Sequence, residues 1–187
     1  MISTRMTRLL LIGAVTVATV GCSSGTAGGG GSPIAGDVLH DRLDGLPVAS
    51  LSDAEIAGLI RMRQEEQLAR DVYTVLGDQY DLRVFDNIAR AEQTHTDAVK
   101  ALLDRHGLDD PAAGRSPGSF ADQELQALYD DLVASGRTST VDALSVGAAI
   151  EEIDIVDLQQ RATDTADIAV VYGELEKGSR NHLRAFD

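Results

Sequence analysis

The chain has 187 residues but only one cysteine, Cys22, and no tryptophan; phenylalanine and tyrosine together make up 4% of it once tryptophan is absent. A single cysteine cannot close an internal disulfide, so stability has to come from a core or from a bound metal. It also leaves no set of thiolates for a zinc–sulfur or iron–sulfur centre. No strand-like alternation of useful length follows Ile34, and with so few aromatic residues the chain suits aliphatic helix packing rather than a sheet sandwich. Basic residues are scarce as well, 16 against 30 acidic ones, for a net charge of -14. Nucleic acid and anionic membrane surfaces are therefore poor partners. The acidity suits attraction of cations, and equally a well-solvated surface.

What is present begins with a leader. Arg5 and Arg8 precede residues 9–20, an unbroken run of apolar, Gly and Thr residues, which is a signal-peptide pattern. The run is shorter than the ~20 residues of a comfortable membrane span. It ends at Gly21-Cys22-Ser23-Ser24, which resembles the lipobox of bacterial lipoproteins. That resemblance implies cleavage before Cys22, lipid on Cys22 and a place on the extracytoplasmic face of the cell membrane; a plainly secreted form is the alternative. Residues 23–32 are Ser, Gly, Thr and Ala only and read as a flexible tether. Loss of residues 1–21 would leave 14 basic residues against 30 acidic, a net charge of -16. The expected organisation is a leader over 1–21, a tether and irregular lead-in over 22–50, and one helical domain over 51–187, large enough for a single core.

Within that domain the periodicity is helical. Ser52-Asp53-Ala54-Glu55 fits a capping box, and Leu59, Met62, Glu66, Ala69, Tyr73 and Leu76 recur at three and four, with Gly77 marking an end near Asp81. Phe85, Ile88, Glu92, His95, Val99 and Leu102 form a second stripe, closed near His106 by Gly107. Residues 108–119, with two prolines and two glycines, read as a long crossover, followed by a shorter packing helix over 122–135 with Leu125, Leu128, Tyr129 and Leu132 on one face. Ser139 opens the next helix, whose stripe is Leu144, Gly147, Glu151, Asp154 and Leu158 beside the apolar row Ala143, Val146, Ile150 and Ile153. Asp164 or Thr165 begins the last, with Ile168, Val171, Leu175, Gly178, His182 and Phe186. The predicted fold class is all-α, a four-helix bundle with a short extra helix in its long crossover.

Each of the four long stripes is interrupted by groups that are costly to bury without a cation, a proton or a partner. They are Glu66, Glu92, His95, Glu151, Asp154 and His182. One alone has a dull explanation as a cap or a satisfied core residue. Together, four carboxylates and two imidazoles are the ligand inventory of a carboxylate-bridged di-iron or di-manganese centre in a helix bundle. Glu65 and Glu152 stand next to proposed ligands as second choices. Tyr73 shares a stripe with Glu66; it reads as a core residue with a satisfied hydroxyl, or as a partner of a ligand open to oxidation near the metals. Arg180 and Arg184 flank His182, and His40 and His106 lie off every core stripe.

The blocks Glu65-Glu66-Gln67-Leu68-Ala69-Arg70-Asp71-Val72-Tyr73, Glu92-Gln93-Thr94-His95, residues 146–155 and residues 178–186 resemble the ferritin-like superfamily, closest to the prokaryotic family catalogued as domain of unknown function 2202. More distantly the Glu66, Ala69, Tyr73 spacing and the Glu92, His95 pair resemble rubrerythrin-type di-iron proteins. The resemblance implies a ferritin-like bundle, iron (or manganese) as cofactor, and ferroxidase, oxidase or peroxidase chemistry. It also exposes a departure, because the fourth long helix usually carries Glu-x-x-His, and here Ser179 stands three residues before His182. Asp154, sharing a face with Glu151, is the residue expected to supply the missing carboxylate. The alternative is a non-enzymatic metal-binding or structural module tethered to the membrane. Metal ions and the membrane are thus the expected partners, nucleic acid is not one, and a homodimer is left open.

Overall fold

The structure, a computed structural model, describes residues 41–186. The expected leader over 1–21 and flexible tether over 23–32, Cys22 and His40 lie outside the described residues. Among the described residues, five longer helices follow the short helical stretch at 41–44: α1 Asp53–Tyr80, α2 Arg83–Arg105, α3 Gln123–Gly136, α4 Thr140–Gln160 and α5 Ala166–Phe186. The described residues contain no strand, so the chain is an all-α bundle. Helices α1 and α2 form one hairpin and α4 and α5 another, with α3 in the crossover packed on α1 and α4.

The ends of the helices follow from local chemistry. Ser52 and Glu55 close the capping box, the Glu55 amide donating to Ser52 Oγ at 3.3 Å and the Ser52 amide to Glu55 Oε2 at 2.8 Å. Asp81 ends α1 in the left-handed conformation, φ 52°. Gly77, expected to mark that end, instead lies inside the helix, where an added Cβ would come within 2.9 Å of Asp86 Oδ1. Its missing side chain admits the start of α2. Gly107, at φ +64°, caps α2 as expected, and the Leu108 amide returns to the Leu103 carbonyl at 2.9 Å.

The lead-in is the larger correction. Residues 41–44 are helical, and Leu43 joins the core cluster of Leu59, Met62, Leu102, Leu158 and Leu175. An apolar residue within reach of that cluster gains more by burial than Gly45 and Pro47 lose by interrupting the local helix. The His106 ring, away from the middle layer, sits against the buried Asp167 carboxylate at 2.9 Å, where Arg105 Nε also reaches at 3.1 Å. This pair ties the end of α2 to the start of α5.

The crossover is held by a polar face of α1 that the apolar periodicity does not reveal. Arg63 grips Asp110 with two bonds of 3.1 and 3.0 Å and donates to Thr96 Oγ1 at 2.6 Å. Gln64 Oε1 accepts the amides of Ala121 and Asp122, both at 3.0 Å, and Asp71 Oδ2 accepts that of Gly118 at 2.7 Å. Loop amides that would otherwise be stranded against the bundle are satisfied.

Along every long helix the buried residues fall in three layers. Leu59, Met62, Leu102, Leu158 and Leu175 pack at one end, and Tyr73 and Phe85 at the other against the half-buried Phe186, with ring centroids 5.6–6.1 Å apart. The polar residues of the four stripes lie between. Replacing Asp110 by Ala should leave the Arg63 guanidinium buried and half-paired, lowering stability by about 3 kcal/mol in urea unfolding, with the helical circular dichroism retained.

Candidate metal centre

All six expected groups turn inward to the middle layer. Glu66, Glu92, Glu151 and Asp154 are buried, as is His95; His182 is nearly so, its side chain 12% exposed. Of the second choices, Glu65 is buried but bonded to Arg61 at 2.5 Å, and Glu152 faces solvent. Arg180 pairs with Glu176 and Arg184 with Asn181, so neither reaches the cluster.

Glu92 is the hub. His95 Nδ1 lies 2.8 Å from its Oε2 and 3.3 Å from Glu66 Oε2, while His182 Nδ1 lies 2.7 Å from its Oε1 and 3.5 Å from Glu151 Oε1. The two imidazoles stack, centroids 5.4 Å apart. Gly178 makes room for this arrangement: a Cβ there would lie 2.4 Å from His95 Cε1. Gly147 does the same for Phe186, at 2.5 Å. Sequence reading placed both glycines on inward stripes; their purpose shows only once the opposing rings are in place.

The electrostatics are those of too many acids in too little solvent. Burial pushes Glu66 up to about 8, against the pull of His95, and Glu151 up to about 7, with the Glu92 charge adding to it. Burial and then the charges of Glu66, Glu92 and Glu151 hold Asp154 well above the ordinary carboxylate range. Glu92 goes the other way, because the His95 and His182 rings outweigh its burial and hold it well below that range. For both imidazoles burial opposes the charged form, yet the carboxylates win: His182 rises to about 9 and His95 well above its ordinary value. No guanidinium or ammonium pairs with any of the six among the described residues.

The donor set fits a cation. Both oxygens of Glu66 are buried with no hydrogen-bond partner, and Glu92 Oε1 and His182 Nδ1, although 2.7 Å apart, are not aligned to bond each other. Ligand atoms of Glu92, His95 and His182 lie within 4.8 Å of one another, close enough to share one ion. Oxygen and imidazole donors without thiolate suit iron or manganese.

One group that holds an acid was not identified as such from sequence alone. Ser179, fully buried, lies with Oγ 2.9 Å from Asp154 Oδ2. The departure at this position was legible, but not the bond. Tyr73, read both as core and as a ligand's partner, is fully buried and donates to Glu151 Oε1 at 2.7 Å, so both of those readings hold.

Fold and site together define an all-α bundle protein with a buried acid–imidazole cluster on its axis. The chain belongs to the family described as "Uncharacterized protein domain (DUF2202)", which matches residues 55–187. It is 50% identical over 150 residues to the uncharacterized protein MJ0754 of Methanocaldococcus jannaschii, covering 79% of this chain and 81% of that one. The crystal structure of the hypothetical protein MJ0754 from Methanococcus jannaschii is similar with a TM-score of 0.74 at 51% identity, over 75% of this chain and 82% of the other.

The raised groups set a pH dependence. Glu66 and Glu151 bind protons more tightly folded than unfolded, as does His182, so between the unfolded values and about 7 to 9 the folded chain holds more protons. Stability then falls as pH rises. The urea midpoint of the metal-free chain should drop steadily from pH 6 to pH 9.

Proposed function

We propose that the chain is a ferritin-like di-metal protein that takes two ferrous or manganous ions among Glu66, Glu92, His95, Glu151, Asp154 and His182 and serves ferroxidase, oxidase or peroxidase chemistry. The observation that carries this reading is the Glu92 carboxylate, buried between two imidazoles with one misaligned 2.7 Å contact, beside a Glu66 carboxylate that makes no hydrogen bond and meets only His95, at 3.3 Å. A metal-free bundle built only for stability would be better served by apolar residues in that layer.

The residues divide the work. Glu92 faces both imidazoles, one through each oxygen, and so sits where two cations could share it. Asp154, on α4 and turned inward beside Ser179, supplies the fourth carboxylate that α5 lacks. Protons held by Glu66, Asp154 and the two imidazoles in the metal-free chain leave as a cation enters, which makes uptake tighter at higher pH. The aromatic and aliphatic layers above and below keep bulk water away. Two ferrous ions bound there would supply the two electrons that convert one hydrogen peroxide and two protons to two waters.

The same reading places the protein outside the cytoplasm, lipid-anchored through Cys22, on the strength of the apolar run that ends at Gly21-Cys22. Metal ions are its partners, and a homodimer is compatible with the bundle.

The test is anaerobic titration with ferrous ion followed by peroxide or oxygen. About two ions per chain should bind, with new absorbance on oxidation; Glu92→Ala or His95→Ala should weaken binding on the order of 100-fold. Bound iron that reacts with neither oxidant would leave a structural metal site and defeat the redox reading. A chain that keeps no metal would defeat both.

A further inference from the structure

Two of the four acids, Glu151 and Asp154, come from α4, and each is met by one neutral hydroxyl from a neighbouring helix. Tyr73 on α1 donates to Glu151 Oε1 at 2.7 Å, and Ser179 on α5 stands 2.9 Å from Asp154 Oδ2. Both hydroxyl residues are fully buried. Each hydroxyl has a single proton and a second acceptor within reach, the Gly147 carbonyl at 3.2 Å for Tyr73 and the Leu175 carbonyl at 3.0 Å for Ser179. Those carbonyls belong to residues four before Glu151 and four before Ser179, one helical turn away. In both, the hydroxyl can choose between a carboxylate and a carbonyl, although Gly147 lies on the acid's helix and Leu175 on the serine's own. Glu66 and Glu92 differ, for Glu66 has no hydrogen-bond partner and Glu92 is faced by imidazoles.

We propose that Tyr73 and Ser179 are positioning residues for the metal centre, their hydroxyls aiming the Glu151 and Asp154 carboxylates at the bundle axis while the Gly147 and Leu175 carbonyls stand ready as alternative acceptors. This rests on the metal-binding reading above and goes beyond it, since neither hydroxyl is a ligand. A buried carboxylate on a flexible stem has several rotamers, and one charge-assisted bond selects among them. When a cation draws on the carboxylate, the hydroxyl keeps its bond to the same oxygen or turns to the carbonyl. In neither case is a buried donor stranded, so the acid can adjust without the cost that stranding carries. Ser179 thereby has a purpose at the position where a fourth-helix carboxylate would otherwise stand. A serine there leaves space for Asp154 and fixes it.

The test compares manganous ion binding by calorimetry and electron paramagnetic resonance in the full chain and in Tyr73→Phe, Ser179→Ala and the double variant. Ser145→Ala serves as control, because its hydroxyl, on the exposed side of α4, bonds only the Val141 carbonyl at 2.9 Å. Each site variant should bind manganese about tenfold more weakly, the double variant more weakly still, with the resonance moving from that of a coupled pair toward isolated ions. The control should match the parent chain. Circular dichroism and melting without metal report folding, and if one variant fails to fold the other decides. Two ions bound at parental affinity with an unchanged spectrum would overturn the positioning role while leaving the metal centre standing. A parent chain that binds no manganese overturns the metal reading and this inference with it.

Discussion

Everything in the middle of this bundle depends on four carboxylates being kept within one apolar enclosure. Like charges at such distances in poorly solvated surroundings repel strongly, and two imidazoles are the only groups of opposite sign among the six. The fold therefore favours the protonated forms of Glu66, Asp154 and both histidines, and concentrates ionisation on Glu92, where the imidazoles converge. Under the proposed reading, a cation entering the cluster would take the place of those protons.

That enclosure exists because apolar layers close it from both sides. The aliphatic end is built by Leu59, Met62, Leu102, Leu158 and Leu175, and the aromatic end by Tyr73, Phe85 and Phe186. Tyr73 belongs to both worlds, its ring in the aromatic layer and its hydroxyl on Glu151. Glycines at 147 and 178 set how closely the helices approach, by admitting a phenylalanine ring and an imidazole where any side chain would collide. The outer faces of α1 meanwhile hold the crossover through Arg63, Gln64 and Asp71, so the two hairpins are locked in register around the cluster.

Much of this was legible before any coordinates. The stripe residues from Leu59 to Leu76 and from Phe85 to Leu102 are all buried, because a helix of 3.6 residues per turn sets them on one face, whereas Arg63, Gln64, Asp71 and Val72 on α1 and Thr96 and Leu103 on α2 are buried off that stripe. Ser52, Asp122 and Ser139 announce helix starts by the same local chemistry that caps them. Contacts made far along the chain were not legible. Leu43 enters the core, and His106 meets Asp167, across separations that carry no periodic signal. Arg63 and Asp71 hold loop residues 47 positions further on, and no periodic signal in the sequence marks those partners.

By itself the sequence determined which residues line the inner faces, since helical periodicity is a local property and the acids and imidazoles fall on it at fixed spacing. The all-α class follows from the same periodicity, and the family from the residue blocks around Glu66, Glu92, Glu151 and His182. Only the tertiary structure decided which of those groups meet: that Glu92 lies between two imidazoles, that Ser179 answers Asp154 and Tyr73 answers Glu151, and that Glu66 is left without a hydrogen bond. Those pairings depend on the relative rotation and height of four separate helices, which are set by packing across the whole bundle rather than within any one turn.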